Sequence, residues 1–229
     1  MNLSHRLKKI INMLELPTKV ADIGTDHAYL PIYLAQNSDC PIVIASDCNR
    51  APYEAALEHV QKAGLENEIE LRLGTGLSIL RPGEVETVII AGMGGITIRD
   101  IIANSYEVAQ ELEQIILQPM TGAASLRKWL VDNRFKISTE KLVKRPNQDG
   151  FYQILSIKPG VMNIKDDFLL ELGPKLIEER TRLLNDYLKY LEKKWQRIKE
   201  DIASDAPNHP KIDQITKQIE QLEEVKKWL

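Results

Sequence analysis

The sequence has few cysteines and no long apolar segment. Cys40 and Cys48 are its two cysteines among 229 residues and form no CxxC pair, which argues against a disulfide framework and a zinc site. No run of about 18 apolar residues is present, so we expect no membrane-spanning helix. Residues 1–9 are polar and basic and do not resemble a signal peptide. We therefore expect a cytoplasmic protein that binds neither a metal nor a membrane.

A strong excess of positive charge is also lacking, because the net charge is -3. Basic residues are nevertheless concentrated in residues 1–19 and 127–145. Such patches could follow a phosphate backbone if the fold brings them to one face, and a solvated surface is the alternative. The candidate RNA-binding residues in these segments are Arg6, Lys9, Arg127, Lys128, Lys144 and Arg145.

The length and the 43% apolar content suit one α/β domain with an appendage. Apolar strands alternate with helical patterns up to about residue 158, which predicts a parallel sheet with helices on both faces. The last two strands are joined by a turn without a helix, so the last strand should be antiparallel. These features predict a Rossmann-like sheet of seven strands, of the class I methyltransferase type, over residues 1–160. The predicted strands are Lys19–Ile23, Pro41–Ser46, Ile69–Leu73, Thr87–Ala91, Gln114–Leu117, Lys136–Val143 and Phe151–Ile157.

Residues 161–229 have a different pattern. Apolar residues recur at spacings of three and four in two stretches, separated by a polar segment with two prolines at residues 205–210. This pattern predicts a C-terminal antiparallel coiled-coil hairpin. Its charges nearly balance, so a spacer, a gauge of substrate shape or a self-association element are all open interpretations.

The segment from Val20 to Leu30 is the most informative in the chain. An apolar strand breaks at Gly24 and becomes a helix, and Asp22 and Asp26 flank the turn. A pyrophosphate-binding turn would have the pattern G-x-G-x-x-G, but Asp26 and Tyr29 occupy its second and third glycine positions. This argues against a nicotinamide dehydrogenase. Carboxylates suit a ligand with a cationic end and hydroxyl groups, and S-adenosylmethionine has both.

A further acid follows the second strand. Asp47 lies 23 residues beyond Gly24, where an acid binds the ribose hydroxyls in a Rossmann-type unit. The alternative is that Asp47 caps the helix that begins near Arg50.

The carboxyl ends of the parallel strands should meet at one edge of the sheet, where ligands bind in such folds. Each predicted strand end carries glycine, an acid or an amide, and glycines would let the backbone contact a flat adenine while Met93 covers one side. The candidate cofactor-binding residues are Asp22, Gly24, Asp26, His27, Asp47, Cys48, Asn49, Gly74, Thr75, Gly76, Ala91, Gly92, Met93 and Gly94.

Four motifs together resemble the bacterial tRNA (adenine-22 N1) methyltransferase family, which is class I and S-adenosylmethionine-dependent. They are Asp-Ile-Gly-Thr-Asp-His-Ala-Tyr-Leu-Pro from Asp22, Ile-Ala-Gly-Met-Gly-Gly from Ile90, Leu-Gln-Pro from Leu117 and Leu-Arg-Lys-Trp-Leu from Leu126. The resemblance implies S-adenosylmethionine as the methyl donor and an adenine at position 22, in the D-arm region of tRNA, as the acceptor. Thr75 and Met120 depart from the family pattern, which has an acid and an asparagine there.

Methylation of adenine N1 needs no prior deprotonation, because N1 carries a free lone pair at neutral pH. Alignment of the base and stabilisation of its developing positive charge should therefore supply the rate. The candidate catalytic residues are Asp26, His27, Tyr29 and Gln118, although His27 and Tyr29 could instead pack against the sheet. The other histidines, His5, His59 and His209, are expected at the surface.

Two other functions fit parts of the sequence. A methyltransferase acting on a small molecule or a protein would use the same cofactor site but leave the basic patches unexplained. A non-catalytic RNA-binding module is conceivable because of Thr75.

Overall fold

The computed structural model describes residues 3–164, 166–227 and 229, and a seven-stranded sheet lies at its centre. The strands follow the order β3-β2-β1-β4-β5-β7-β6, and β7 is antiparallel to both of its neighbours. The predicted fold class, with its antiparallel last strand, is confirmed. The strands are β1 (Val20–Ile23), β2 (Val43–Asp47), β3 (Ile69–Leu73), β4 (Thr87–Gly94), β5 (Gln114–Thr121), β6 (Phe135–Lys144) and β7 (Phe151–Pro159).

Helices cover both faces of the sheet, as alternating βα units require. Apolar side chains of α1 (His5–Ile11), α2 (Tyr29–Asn37) and α3 (Arg50–Ala63) form a core with one face. Those of α4 (Gly95–Ala103), α5 (Tyr106–Glu111) and α6 (Ala123–Asp132) form a core with the other. Every residue of β1 and β2 is buried, which is typical of central parallel strands.

Several element boundaries differ from the predicted ones. Apolar residues at helical spacing from Leu3 to Leu14 predict a longer first helix than α1, and α2 begins at Tyr29 rather than at the predicted Ala28 because Ala28 has a left-handed backbone with φ of 54°. Strands β4 and β5 extend further, since pairing continues to Gly94 and Thr121 across a register shift. The short helix α5 and a 3-10 turn at Gly76–Ile79 were not predicted, because so few residues show no clear periodicity.

The C-terminal hairpin consists of α9 (Leu184–Asp205) and α10 (Lys211–Lys227), which pack against each other. It is preceded by two unpredicted short helices, α7 (Phe168–Leu172) and α8 (Pro174–Glu178). These helices and the hairpin share one apolar core with side chains of β6 and β7. The division of the chain at residue 160 stays a prediction, and the hairpin itself begins later, at Leu184.

No helix in the described part of the chain is both long and apolar enough to cross a membrane.

Candidate active site

The turn between β1 and α2 has an unusual backbone. Gly24, Asp26 and Ala28 all have positive φ angles, of 76°, 54° and 54°. Such conformations are costly for residues with a side chain and concentrate at functional sites. The carbonyl of Ser46 on β2 accepts the N–H groups of Gly24 and Thr25, which fixes the turn to the neighbouring strand. An added Cβ at Gly24 would collide with the Met93 methyl group, so the tips of β1 and β4 contact each other at this glycine.

A cavity of about 540 Å³ lies at the carboxyl ends of β1 to β4. This volume is within the range of about 300–1,000 Å³ that is common for small-ligand sites. All the predicted cofactor-binding residues line the cavity except Gly94, which lies just beyond it in the chain. The structure thus brings together residues from four separate strand ends. The other lining residues are Arg6, Leu7, Ile23, Thr25, Tyr29, Leu30, Thr97 and Ile101.

Asp22 is the most deeply placed acid of the cavity, with 7% of its surface exposed. Burial raises its pKa to about 6, against the opposing effects of a hydrogen bond from Thr25 Oγ1, 2.8 Å away, and of the positive charge of Arg6. A cationic ligand stabilises the ionised form of such a buried carboxylate, because the positive charge of the ligand offsets the cost of removing the carboxylate from water.

Asp47 stands at the tip of β2 and is 8% exposed. Its Oδ1 accepts the N–H of Asn49 at 2.9 Å, and Asn49 rather than Asp47 is the N-cap residue of α3. The capping alternative for Asp47 is therefore wrong. The hydrogen bond from Asn49 holds the carboxylate in place beside the cavity.

His27, Tyr29 and His59 form a ring cluster at the cavity, with centroid separations of 5.2 to 5.5 Å. Tyr29 is 41% exposed, and the Tyr29 and His59 rings are stacked. Tyr29 thus does not pack into the sheet, which was the alternative to a direct role. His59, expected at the surface, is partly buried, and its Nδ1 lies 2.9 Å from the His27 carbonyl oxygen.

Gln118 does not line the cavity, because its side chain is fully buried and covered by Arg6. The Arg6 guanidinium reaches from α1 to the tip of β5, where Nη1 donates a hydrogen bond to Gln118 Oε1. Arg6, predicted to bind RNA, therefore reaches the cavity itself.

The prediction that Arg127 binds RNA is wrong, because its side chain is 0% exposed. It donates to Glu140 at 2.7 Å, to the Leu170 carbonyl at 3.1 Å and to Gln153. Arg127 therefore joins α6, β6, β7 and α7. Lys128 is exposed, but it belongs to α6, on the sheet face opposite α1, and is paired with Asp132 and Asp167.

The remaining basic candidates lie together. Lys9 and Lys144 line one groove of about 630 Å³, which we call the basic groove. Both segments that are rich in basic residues, 1–19 and 127–145, therefore contribute to one face. The basic groove is lined by His5, Lys8, Lys9, Asn12, Lys141, Leu142, Val143, Lys144, Glu179, Arg180, Thr181, Arg182 and Leu183.

A second depression, the Tyr152 cleft, adjoins both the basic groove and the cavity. It shares His5, Lys8, Val143 and Lys144 with the groove and Arg6 with the cavity. The guanidinium carbons of Arg6 and Arg145 lie 5.6 and 5.1 Å from the centroid of the Tyr152 ring. The cleft is lined by Leu3, Ser4, His5, Arg6, Lys8, Val143, Lys144, Arg145, Pro146 and Tyr152.

Tyr152 and His59 were not identified as site residues from the sequence. Tyr152 belongs to β7, and nothing in its local pattern distinguishes it from other strand residues. Its distinguishing contact with Arg6 joins parts of the chain about 146 residues apart, whereas Arg145 lies only seven residues away. Within the described residues, no group of three His, Cys, Asp or Glu is placed to hold a metal ion.

Comparison with known proteins agrees with this geometry. A family model described as "Methyltransferase domain" matches residues 3–155. The tRNA (adenine(22)-N(1))-methyltransferase of Bacillus subtilis is 29% identical to the chain, over 98% of this chain and 97% of its own length.

Two solved structures are similar over nearly the whole chain. Mycoplasma capricolum TrmK, in complex with S-adenosyl-homocysteine, is 30% identical with a TM-score of 0.82, over 97% of this chain and 96% of its own. A putative tRNA (m1A22) methyltransferase of Streptococcus pneumoniae, in complex with S-adenosyl-L-methionine, is 29% identical with a TM-score of 0.83, over 98% and 99%. The family model and these similarities agree with the geometry of the cavity and the groove. The chain therefore belongs to the family of bacterial tRNA (adenine-22 N1) methyltransferases.

Proposed function

We propose that this protein transfers the methyl group of S-adenosylmethionine to N1 of adenine 22 in tRNA. The observation that supports the proposal is that the Tyr152 cleft shares lining residues with both an acid-lined cavity and a basic groove. The cavity suits a cationic nucleoside, and the groove suits a phosphate backbone. The relatives named above supply the position of the adenine.

The cofactor is S-adenosylmethionine, and the donor set of the cavity fits it. We assign Asp47 to the ribose hydroxyls and Asp22 to the cationic methionine end, because these are the two buried acids of the cavity. Thr75 is exposed at the tip of β3 and can offer its hydroxyl and backbone to the cofactor adenine. Gly24, Gly74 and Gly76 let Met93, Ile79 and Ile101 pack against the strand ends where other residues would place a side chain, which shapes the wall of the cavity.

When bound, S-adenosylmethionine supplies a methyl group that passes from its sulfonium sulfur to the N1 electron pair, leaving a thioether and a 1-methyladenine cation. No residue has to remove a proton before the transfer. The role of this chain is to hold the base out of its stack, in line with the methyl group, and to stabilise the positive charge. Asp22 and Asp26 bring negative charge to the cavity, and the side-chain oxygen of Gln118 lies beneath Arg6, which lines the cavity.

The RNA follows the basic groove and the Tyr152 cleft. Lys9, Lys144 and Arg145 contribute positive charge along this route. A methyltransferase of small molecules would have no use for such a groove, so this surface favours a nucleic acid as the acceptor. Because tRNA is the substrate, we also place the enzyme in the cytoplasm.

Self-association through the helical hairpin stays a proposal. The apolar side chains of α9 and α10 that are buried contribute to the core shared with β6 and β7. Among the described residues, the large apolar side chains that are exposed lie outside these two helices. Sedimentation of the purified protein across a range of concentrations tests this proposal.

The experiment that tests the function uses methyl-labelled S-adenosylmethionine and unmodified tRNA transcripts. We expect label in a transcript with adenine at position 22, mapped to that nucleotide, and none when guanine replaces it. Transfer to the guanine variant at the same rate, or no transfer to any tRNA, would contradict the proposal.

A further inference from the structure

Resting on the proposed function, we propose that the Arg6 guanidinium occupies the place where the N1–C6–N6 edge of the target adenine binds, and that the incoming base displaces it. Arg6 would then be a removable occupant of the acceptor site. After Arg6 is displaced, the amino group of the adenine donates to Gln118 Oε1, the atom that accepts the Arg6 hydrogen bond in this structure.

Gln118 has one hydrogen-bonding atom directed at Arg6. Its Nε2 donates to the Pro119 carbonyl at 3.1 Å and lies 3.5 Å from Met120 Sδ. These contacts orient the amide, so Oε1 is the atom that receives Arg6 Nη1. A fully buried carbonyl oxygen requires a donor, and the exocyclic amino group of adenine is one.

Gly92 provides a flat surface beside this oxygen. Its φ angle is 83°, and a Cβ added there would lie 3.4 Å from Arg6 Nη1. The guanidinium therefore lies against bare backbone at the tip of β4, next to the tip of β5, where Met93 pairs with Pro119. This is the edge of the sheet where ligands bind in α/β folds, and Arg6 also lines the cofactor cavity.

The guanidinium and the product base share their chemistry. Both are planar cations with N–H donors at the edge, and methylation of N1 makes the adenine edge cationic. The position that holds Arg6, near the carboxylate of Asp22, should therefore bind the partly cationic base of the transition state more tightly than it binds neutral adenine.

The displaced guanidinium has a place to go. Arg6 already lies over the Tyr152 ring, beside Arg145, in the cleft that leads to the basic groove. A rotation of the long Arg6 side chain would move the guanidinium from Gln118 to the phosphates of the bound RNA. There its positive charge would bind phosphate oxygens.

The test measures binding of the nucleoside 1-methyladenosine to the full chain saturated with S-adenosylhomocysteine, by calorimetry. We expect Arg6→Ala to bind 1-methyladenosine at least about tenfold more tightly than the parent does. In this variant the nucleoside no longer has to displace the charged hydrogen bond between Arg6 and Gln118. Lys62→Ala removes a positive charge from an exposed position on α3, outside the cavity, the groove and the cleft, and it should bind like the parent. 1-Methylinosine, which has no exocyclic amino group, should gain nothing from Arg6→Ala.

Equal or weaker binding of 1-methyladenosine to Arg6→Ala would overturn the proposal. If that variant fails to bind S-adenosylhomocysteine, Arg6→Met replaces it under the same expectation, because methionine also has no donor for Gln118. Methyl transfer by the parent to tRNA is measured separately. Its absence would overturn the proposed function, whereas the nucleoside comparison reports on Arg6 alone.

Discussion

At the scale of single residues, the turn after β1 determines the ligand. Asp26 is an acid where a phosphate-binding turn has glycine, and Asp22 lies two residues before the turn glycine Gly24. The structure adds that Asp22 and Asp47 are both buried at the same cavity. Two buried carboxylates that accept hydrogen bonds from Thr25 and Asn49 repel an anionic ligand and favour one that is cationic and rich in hydroxyls.

The ribose contact can be tested at Asp47. We expect Asp47→Ala to weaken S-adenosylmethionine binding by about ten- to a hundredfold, the value of hydrogen bonds to a charged group. Calorimetry measures this, with Asp39→Ala as the control, because Asp39 is an exposed acid outside the cavity. Equal affinity of Asp47→Ala and the parent would remove Asp47 from the site.

The raised pKa of Asp22 predicts a pH dependence of cofactor binding. A cationic ligand requires the ionised carboxylate, and the free protein begins to protonate it as pH falls through about 6. Affinity should therefore be constant above about pH 7 and fall by up to about tenfold per pH unit below 6. Calorimetry between pH 5 and 8 checks this, and Asp22→Asn should flatten the profile. An unchanged slope in that variant would assign the proton to another group.

The same pKa shift has a consequence for folding. Because the folded-state pKa lies above the ordinary value of 3.8, the ionised form of Asp22 destabilises the fold of the free protein. This effect is fully present above pH 6 and disappears as pH falls towards 3.8. A cationic ligand at the cavity reverses it.

Residue identity alone did not distinguish the roles of the arginines. Arg127 and Arg145 belong to the same basic segment, yet Arg127 is buried with Glu140 while Arg145 lies at the Tyr152 cleft. Arg6 was assigned to RNA from its sequence neighbours, although it reaches Gln118, 112 residues away. The sequence shows which segments are rich in arginine and lysine, but the fold decides which of these side chains are buried and which distant residues they contact.

At the scale of elements, the strands and long helices could be predicted because each carries its own periodicity. The bounds of α3 and β3 agree with the predicted ones, and Gly64 ends α3 with a left-handed backbone. The helices α5, α7 and α8 have five or six residues each, which is too few for a pattern to be seen. Their positions depend on contacts such as those of Arg127, and these contacts are absent from any local window.

The buried ion pair of Arg127 and Glu140 should be important for stability. Arg127→Ala leaves a buried carboxylate without its partner, so we expect a loss of about 3–5 kcal/mol in the free energy of unfolding. Denaturant unfolding measures this loss. Arg197→Ala is the matched control, because Arg197 is exposed on α9 and its ion pair should contribute no more than about 1 kcal/mol. Equal losses in both variants would contradict the structural role of Arg127.

At the scale of the whole molecule, the two basic segments meet because α1 packs against the sheet near β6. The sequence predicted the two patches but not their meeting, since residues 1–19 and 127–145 are joined only through the fold. As a result, the basic groove and the acidic cavity lie on either side of the Tyr152 cleft and share lining residues with it. We expect the positive charge of the basic groove to bind the RNA backbone and the acids of the cavity to bind the cofactor.

This division of charge predicts a salt dependence. Replacing Lys144 and Arg182 with glutamine should weaken tRNA binding and reduce the slope of log affinity against log salt by about 1 to 2. The affinity for S-adenosylmethionine should stay unchanged. Filter binding between 50 and 200 mM salt measures the slope, with Lys199→Gln and Lys217→Gln as the control on the hairpin, outside the groove. A parallel loss of both ligands would contradict separate sites.

The most direct test of the central claim is a crystal structure of this protein with S-adenosylmethionine. We expect the ribose hydroxyls to lie within hydrogen-bond distance of Asp47 and the methionine end to lie beside Asp22 and Gly24. Electron density for the cofactor elsewhere, or its ribose bound away from Asp47, would contradict the claim that these strand ends form the cofactor site.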